Sequence, residues 1–339
     1  MTPPIIAISV GCPSGIGPEV AVAAAAKTSG ARCLLVGDEA VLRRAAALRR
    51  IGRSRLLTVD RAGLAGLPEG VVGIWADSAP LSRPSAHGKP EAEDGAAQLA
   101  WIDQATDLVR QGAAAALVTG PVSKLAVAES GAPGSAEFLG HTEHLGRRLR
   151  AREVTMAFAA EGLVTALVTT HIPLAAVPEA VTPREVGRAA YWLARLLRDL
   201  GRPRPRVAVA ALNPHAGEGG LLGDEEQKRI APGIRLARRR LATAGVEADL
   251  SGPVGAETAF RVAAGGGYDG VVAMYHDQAT IPSKLLGFGE AVNVTLGLPI
   301  VRTSVDHGTA YDLAGTGKAD ARGMREAIEM AVRLARAGR

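Results

Sequence analysis

One local pattern recurs from end to end in this chain. A short, almost uninterrupted apolar run is closed by Gly, Pro or Asp and followed by a longer segment with apolar residues three and four apart. The runs are IIAISV (5–10), CLLVG (33–37), VVGIWA (71–76), AALVTG (115–120), VTALVT (164–169), VAVAAL (207–212), GVVAMY (270–275) and IVRTSV (300–305). Continuous rather than alternating apolar character predicts strands buried on both faces. The intervening segments suit helices. In 182–200, Thr182 can cap, Pro183 fits the first helical position and Glu185 stands where a capping box places an acid. The segments 223–245 and 319–338 share the periodicity. Strands alternating with helices restrict the chain to the α/β class with a largely parallel sheet.

A chain of 339 residues, 47% hydrophobic, exceeds the roughly 250–300 residues at which one core stops growing, so two α/β domains are expected. No apolar run reaches the roughly 18 residues of a membrane span, and MTPPIIAISV has no basic stretch ahead of its apolar residues. A cytoplasmic protein without membrane contact is the expectation. Cys12 and Cys33 are then expected to be free thiols. The net charge of +5 is scattered over helix surfaces without interleaved aromatics or zinc-knuckle spacing, which speaks against nucleic acid as a partner. Of the 39 basic residues only six are lysines: Lys27, Lys89, Lys124, Lys228, Lys284 and Lys318. A lysine kept against that bias points weakly to a need for a compact ammonium rather than a guanidinium fork, the alternative being chance placement on the surface.

Three histidines share one context. His171, His215 and His276 each follow a predicted strand within a few residues, in VTALVTTHIPL, VAVAALNPHAGEGG and GVVAMYHDQ. In a parallel sheet the carboxyl ends of the strands form one rim where ligands bind, so these side chains can converge. Three neutral imidazoles would hold a divalent metal and leave a position open for substrate. The plain alternative is three unrelated core or surface histidines, since spacings of 44 and 61 residues match no local zinc motif.

Three further segments carry chemistry. SVGCPSGIGPEV (9–20) is a Gly-rich turn between a strand and an Ala-rich helix; it can bring amides close to a phosphate or nucleotide, or simply be a tight turn, and it lacks the dinucleotide fingerprint. FLGHTEHLGRRL (138–149) opens a helix on His141 and Thr142, an anion seat or else an ordinary cap beside a surface histidine. The stretch 274–320 spreads Lys284, Arg302, Asn293, Asp277 and Asp306 over a glycine-dense sequence, where Lys284 and Arg302 read as anion clamps or as surface charges. His87 and His144 lack such context and read as structural.

With these segments assembled, the chain resembles the 4-hydroxythreonine-4-phosphate dehydrogenase (PdxA) family almost throughout its length. The similarity rests on GCPSGIGPEV, LVTGPVSK, GHTEHL, ALVTTHIPL, ALNPHAGEGG, VVAMYHDQ and LLGFGEAVNVTLGLPIVRTSVDHGTAYDLAGTGKAD. The resemblance implies that His171, His215 and His276 ligate one divalent metal (zinc, magnesium, cobalt, manganese or nickel), drawn from two subunits of a homodimer. It implies that His141, Thr142, Lys284, Asn293 and Arg302 bind the phosphorylated substrate. The implied fold is that of isocitrate and isopropylmalate dehydrogenases, two α/β domains around a central cleft. Residues 1–130 with 300–339 would form the domain contacting NAD or NADP through Gly15, Gly17, His307, Gly308 and Asp312; residues 131–299 would carry the metal ligands and the dimer interface. Two departures from the family pattern stand out: Cys12 and Ser14 where GDPAGIGPE is usual, and GPVGAETAF, with an extra residue and Glu257 in place of Asp.

The activity so implied is metal- and NAD-dependent oxidation of a phosphorylated hydroxy-amino acid. The product is a 3-oxo acid that loses carbon dioxide to leave 3-amino-2-oxopropyl phosphate. Asp277 is the candidate base, and Lys284 is counted with it as catalytic. The alternatives are threonate or erythronate 4-phosphate, or an aromatic dihydrodiol dicarboxylate, as substrate; a non-catalytic metal and sugar-phosphate binding protein; and a metal hydrolase.

Overall fold

The computed structural model describes residues 2–286 and 291–338. The chain forms two compact units, one of residues 1–151 and 298–339 and one of residues 152–297. In chain order the first unit contains β1 (Ile5–Ser9), α1 (Gly17–Ala25), β2 (Arg32–Val36), α2 (Glu39–Leu48), β3 (Leu56–Val59), β4 (Val72–Trp75), α3 (Ala92–Arg110), β5 (Ala116–Thr119), α4 (Lys124–Glu129) and α5 (His141–Arg148). The second contains β6 (Thr155–Ala160), β7 (Leu163–Leu167), α6 (Val177–Ala180), α7 (Pro183–Asp199), β8 (Arg206–Ala210), α8 (Ala231–Thr243), β9 (Asp249–Val254), α9 (Ala256–Ala264), β10 (Gly270–Ala273), α10 (His276–Leu286) and β11 (Val292–Leu296). The chain then returns to the first unit with β12 (Arg302–Val305) and α11 (Arg322–Arg336).

All eight apolar runs are strands, and the α/β expectation holds. The first unit orders its strands β3-β4-β2-β1-β5-β12, every pair parallel. The second orders them β11-β6-β7-β10-β8-β9; β6 runs antiparallel to both neighbours and the rest are parallel. Ile6, Ile8, Leu34, Leu35, Ile74 and Leu117 are fully enclosed, as continuous apolar runs require. Helix α11 covers this sheet through Met324, Ala327, Ile328, Ala331 and Leu334, a stripe at helical spacing.

Thr182 caps α7 as expected, its hydroxyl accepting from the Glu185 amide at 3.3 Å. The Glu185 carboxylate is taken by Arg188 at 2.6 Å, so the acid serves an ion pair within the first turns. The domain boundary differs from the sequence expectation. Residues 131–151 cluster with the first unit because α5 is tied to α3: His144 Nε2 donates to Asp103 at 2.7 Å, and Arg148 spans Asp103 at 3.1 Å and Asp107 at 2.8 Å. No described helix is long and apolar enough to cross a membrane.

Two glycine-rich segments far apart in the chain are joined by one buried acid. Glu19, 1% exposed in the first turn of α1, accepts from the amides of Gly315 at 2.6 Å and Gly317 at 3.1 Å. Glu19→Gln leaves one of these amides facing an NH2 group. Hydrogen bonds to a buried charge are worth roughly 1.5–3 kcal/mol each, so the variant is expected to lose about 2 kcal/mol, measured by urea unfolding followed by circular dichroism.

Candidate active site

The three histidines fall on adjacent strands. β7, β10 and β8 lie side by side and parallel, and His171, His215 and His276 follow their carboxyl ends. Side-chain and backbone bonds align the post-strand loops. Thr169 sends its amide (3.2 Å) and its hydroxyl (2.7 Å) to the carbonyl of Met274. His171 and His276 each stand two residues beyond that junction, and their rings face one another with centroids 5.5 Å apart. Both line a cavity of about 430 Å³ with Thr170, Ile172, Leu174, Val177, Tyr275 and Asp277.

The His276 ring is oriented by its neighbour: Nδ1 donates to Asp277 Oδ1 at 2.7 Å, which directs Nε2 outward. A carboxylate behind an imidazole is the usual partner of a metal-ligating histidine, so the donor set fits a divalent ion. Asp277, the candidate base, therefore already has a task, although its side chain is 71% exposed. Gln278, which the sequence reading passed over, ties two of the strand ends together, accepting from the Met274 amide at 2.7 Å and donating to the Ala211 carbonyl at 2.9 Å.

His215 is placed differently. Its backbone begins a left-handed turn, with φ of 52° at His215, 55° at Ala216, 78° at Gly217, 44° at Glu218 and 69° at Gly219. For L-residues this conformation costs roughly 1–2 kcal/mol each. The buried Glu226 holds the approach to it, accepting from the amides of Leu212 at 2.9 Å and Asn213 at 2.8 Å. Strain of this kind persists where surrounding structure imposes it, and it marks functional segments. His215 does not line the cavity of His171 and His276. Among the described residues no three His, Cys, Asp or Glu are grouped to hold a metal within one chain.

The first unit carries the other cluster. Arg302 opens β12, is 2% exposed, and donates from Nη2 to Thr119 Oγ1 at 2.6 Å at the end of β5. Burial pushes its guanidinium down to about 9, opposed by the Glu143 carboxylate; it stays charged at neutral pH. His141 and the buried Thr142 open α5. Burial first, then the charges of Arg302, His144 and Lys124, hold the His141 imidazole well below its usual range, so the ring is neutral. Its Nε2 is buried and has no hydrogen-bond partner among the described residues. A charged guanidinium, a neutral imidazole, a hydroxyl and a helix N-terminus form a seat for a phosphate or carboxylate.

The remaining sequence candidates are distributed as follows. Lys284 lies in the last turn of α10, and Asn293 lies on β11 opposite Phe158 with a buried Oδ1 that no described residue meets. Gly15 and Gly17 are buried, and protein explains both: a Cβ would stand 2.8 Å from the Thr309 carbonyl oxygen at Gly15 and 2.2 Å from that of Val10 at Gly17. These glycines shape the loop against the backbone rather than open it to a ligand. Gly308 and Asp312 are exposed in the loop after β12; His307 Nδ1 donates to the Gly308 carbonyl at 3.1 Å.

The departures from the family pattern are accommodated locally. Ser14 is buried, its hydroxyl within 2.7 Å of Ser85 Oγ and 2.8 Å of Asp94 Oδ2, while Cys12 Sγ lies 3.7 Å from the Tyr311 hydroxyl. Burial pushes the Cys12 thiol up, and the Cys33 thiol up to about 12; both are free. Glu257 pairs with Arg261 at 2.8 Å on the exposed face of α9.

Comparison with known proteins places this arrangement. The family model described as "Pyridoxal phosphate biosynthetic protein PdxA" matches residues 29–331. The chain is 44% identical over 334 residues to a 4-hydroxythreonine-4-phosphate dehydrogenase from Desulfosudis oleivorans, covering 97% of this chain and 95% of that one. The chain belongs to the PdxA family. Among solved structures it is similar to a 4-hydroxythreonine-4-phosphate dehydrogenase from Klebsiella pneumoniae, with a TM-score of 0.84 and 39% identity over 98% of this chain and 99% of that one. A terephthalate 1,2-cis-dihydrodiol dehydrogenase from Burkholderia xenovorans gives 0.67 and 30% over 97% and 98%. The proteins similar to this chain thus include enzymes whose names specify a phosphorylated chain and one whose name specifies a dihydrodiol.

Proposed function

We propose that this chain is an NAD-dependent, divalent-metal-dependent dehydrogenase acting on 4-phosphooxy-L-threonine. Oxidation of its hydroxyl carbon gives 2-amino-3-oxo-4-phosphooxybutanoate, and loss of carbon dioxide leaves 3-amino-2-oxopropyl phosphate for pyridoxal phosphate biosynthesis. The observation that carries this reading is the buried Arg302 beside His141 and Thr142, in a chain of this family that also faces two imidazoles into one cavity. A buried guanidinium with a neutral imidazole, a hydroxyl and a helix N-terminus supports an anionic substrate group, and the similarity to relatives named for a phosphorylated chain favours a phosphate there.

In the proposed site His171 and His276 hold the metal, and His215 completes the set from a second copy of the chain. The segments after the three strands support a dimer. They leave Leu174 (70%), Leu221 (84%), Ile281 (61%) and Leu285 (80%) exposed, an apolar content that water disfavours on a monomer. When bound, a divalent ion lowers the pKa of a hydroxyl and stabilises an enolate, and NAD or NADP accepts the hydride. Arg302, His141 and Thr142 take the phosphate, with Lys284 and Asn293 as further substrate ligands. Asp277 orients His276 through Oδ1 and receives the hydroxyl proton on its other oxygen. His307, Gly308 and Asp312 meet the nicotinamide cofactor, while Gly15 and Gly17 act by shaping the loop.

The test is reduced-cofactor formation with 4-phosphooxy-L-threonine, threonate 4-phosphate, erythronate 4-phosphate and an aromatic dihydrodiol dicarboxylate, each with and without added divalent metals. The expected result is turnover of 4-phosphooxy-L-threonine at kcat/KM at least about 10²-fold above the others. Activity confined to the non-phosphorylated diol would overturn the reading.

A further inference from the structure

Lys124 is one of only six lysines in this arginine-rich chain. We infer that Lys124 is a further substrate-binding residue, the second cation of the anion seat formed by Arg302, His141 and Thr142. The inference rests on the proposed phosphorylated substrate, but its geometry lies wholly within the first unit.

Lys124 is positioned beside the start of α5 by the elements beneath it. It is the first residue of α4, five residues beyond Thr119, whose hydroxyl holds Arg302. Ser123 caps the helix, accepting the Ala126 amide at 3.1 Å, and its own amide donates to the buried Gln98 Oε1 at 2.8 Å. The α4 backbone is therefore fixed on α3 while the Lys124 side chain remains exposed. Its Nζ comes within 3.7 Å of the point that a Cβ on Gly140 would occupy, and Gly140 is the residue that caps α5 immediately before His141. Gly140 has an extended φ of 161°, and the atoms nearest the place of a Cβ are the ends of the Glu143 and Lys124 side chains.

The charges around the seat are consistent with this role. Lys124 and Arg302 both act on the His141 ring, while Glu143, in the first turn of α5, is the acid that opposes the burial of Arg302. A Cβ on Gly140 would also lie 2.9 Å from Glu143 Oε2, so the acid that opposes the burial of Arg302 and the Lys124 ammonium flank the same glycine. The buried Nε2 of His141, unmet among the described residues, supplies a neutral polar atom at the same place. A phosphate carries more oxygens than Arg302 can bind with one fork, and a flexible ammonium on the open side takes the remainder.

The experiment uses the metal-loaded enzyme with Lys124→Met and Lys124→Arg, and Lys27→Met as a control for loss of one exposed lysine in the same unit. Two quantities are read: KM and kcat with 4-phosphooxy-L-threonine, and the Kd for inorganic phosphate from a phosphorus NMR titration. Lys124→Met is expected to raise KM and the phosphate Kd by about 10-fold or more with kcat within about 3-fold, as removal of a uniform binding contact does. Lys124→Arg should recover most of the loss, and Lys27→Met should change neither. Unchanged KM and phosphate Kd in Lys124→Met would overturn the assignment. Weakened phosphate binding in a protein that turns over no phosphorylated hydroxy acid would support Lys124 as an anion ligand and reject the proposed reaction instead.

Discussion

His276→Ala is expected to strip the divalent metal from the purified protein and to lower kcat at least about 10³-fold, with both losses occurring together. Asp277 fixes the Nδ1 of His276, and the ring lies 5.5 Å from that of His171. Metal content by elemental analysis and turnover of the same preparation check the result; full activity in a metal-free variant would remove the metal from the mechanism. Asp277→Asn keeps the shape but weakens the orienting bond, and a loss of about 10- to 100-fold in metal affinity is expected. The same variants test the dimer. Subunits carrying His276→Ala and His215→Ala are each inactive alone. If His215 serves a second copy, mixing them restores about a quarter of the wild-type activity, since half of the dimers are mixed and each has one intact site. No recovery after subunit exchange would place all three ligands within one chain.

The second large effect is at Arg302. Arg302→Met is expected to raise KM for the phosphorylated substrate about 100-fold or more, since it removes charge-assisted bonds worth roughly 1.5–3 kcal/mol each. Stability should move the other way or not at all. The guanidinium is 2% exposed, and burial pushes it down to about 9; folding therefore works against this charge. Met fills much of the same volume without a charge to desolvate, which offsets the loss of the bond to Thr119. A thermal midpoint that does not fall, together with the large KM increase, identifies Arg302 as a group kept for binding at the expense of the fold. A fall in midpoint without a change in KM would make it structural.

How much of this was legible in the sequence depended on how local the cause was. All eight continuous apolar runs became strands because burial on both faces demands that composition. The four strands without such a signal are LLTV at β3, TMAFAA at β6, DLSGPV at β9 and VNVTL at β11. Each is short, interrupted by Gly-Pro or carries a polar residue, and pairing with neighbours distant in sequence decides it. The antiparallel direction of β6 was equally hidden: it follows from the two-residue connection to β7 at Glu161 and Gly162, not from any periodicity. The boundary at 131 moved to 151 because ion pairs between α5 and α3, about 40 residues apart, bind the segment to the first unit.

For the candidate site, residue type and position after a strand were enough to single out His171, His215 and His276, because strand direction puts such residues on one rim. The order β7-β10-β8, which makes those three ends adjacent, is a property of the sheet alone. The sequence by itself determined the α/β class, the buried strands and the chemistry on offer: imidazoles, cationic side chains and glycine-rich turns. Only the tertiary structure decided which of these groups meet. It brought the His171 and His276 rings within 5.5 Å of one another, put His215 on a left-handed turn outside their cavity, gave Gly15 and Gly17 to packing, and set Lys124 beside the helix that starts at His141. The physical reason is range: burial and helix periodicity act between neighbours in the chain, whereas hydrogen bonds such as Thr169 to Met274 and Gln278 to Ala211 link residues that only the folded sheet brings together.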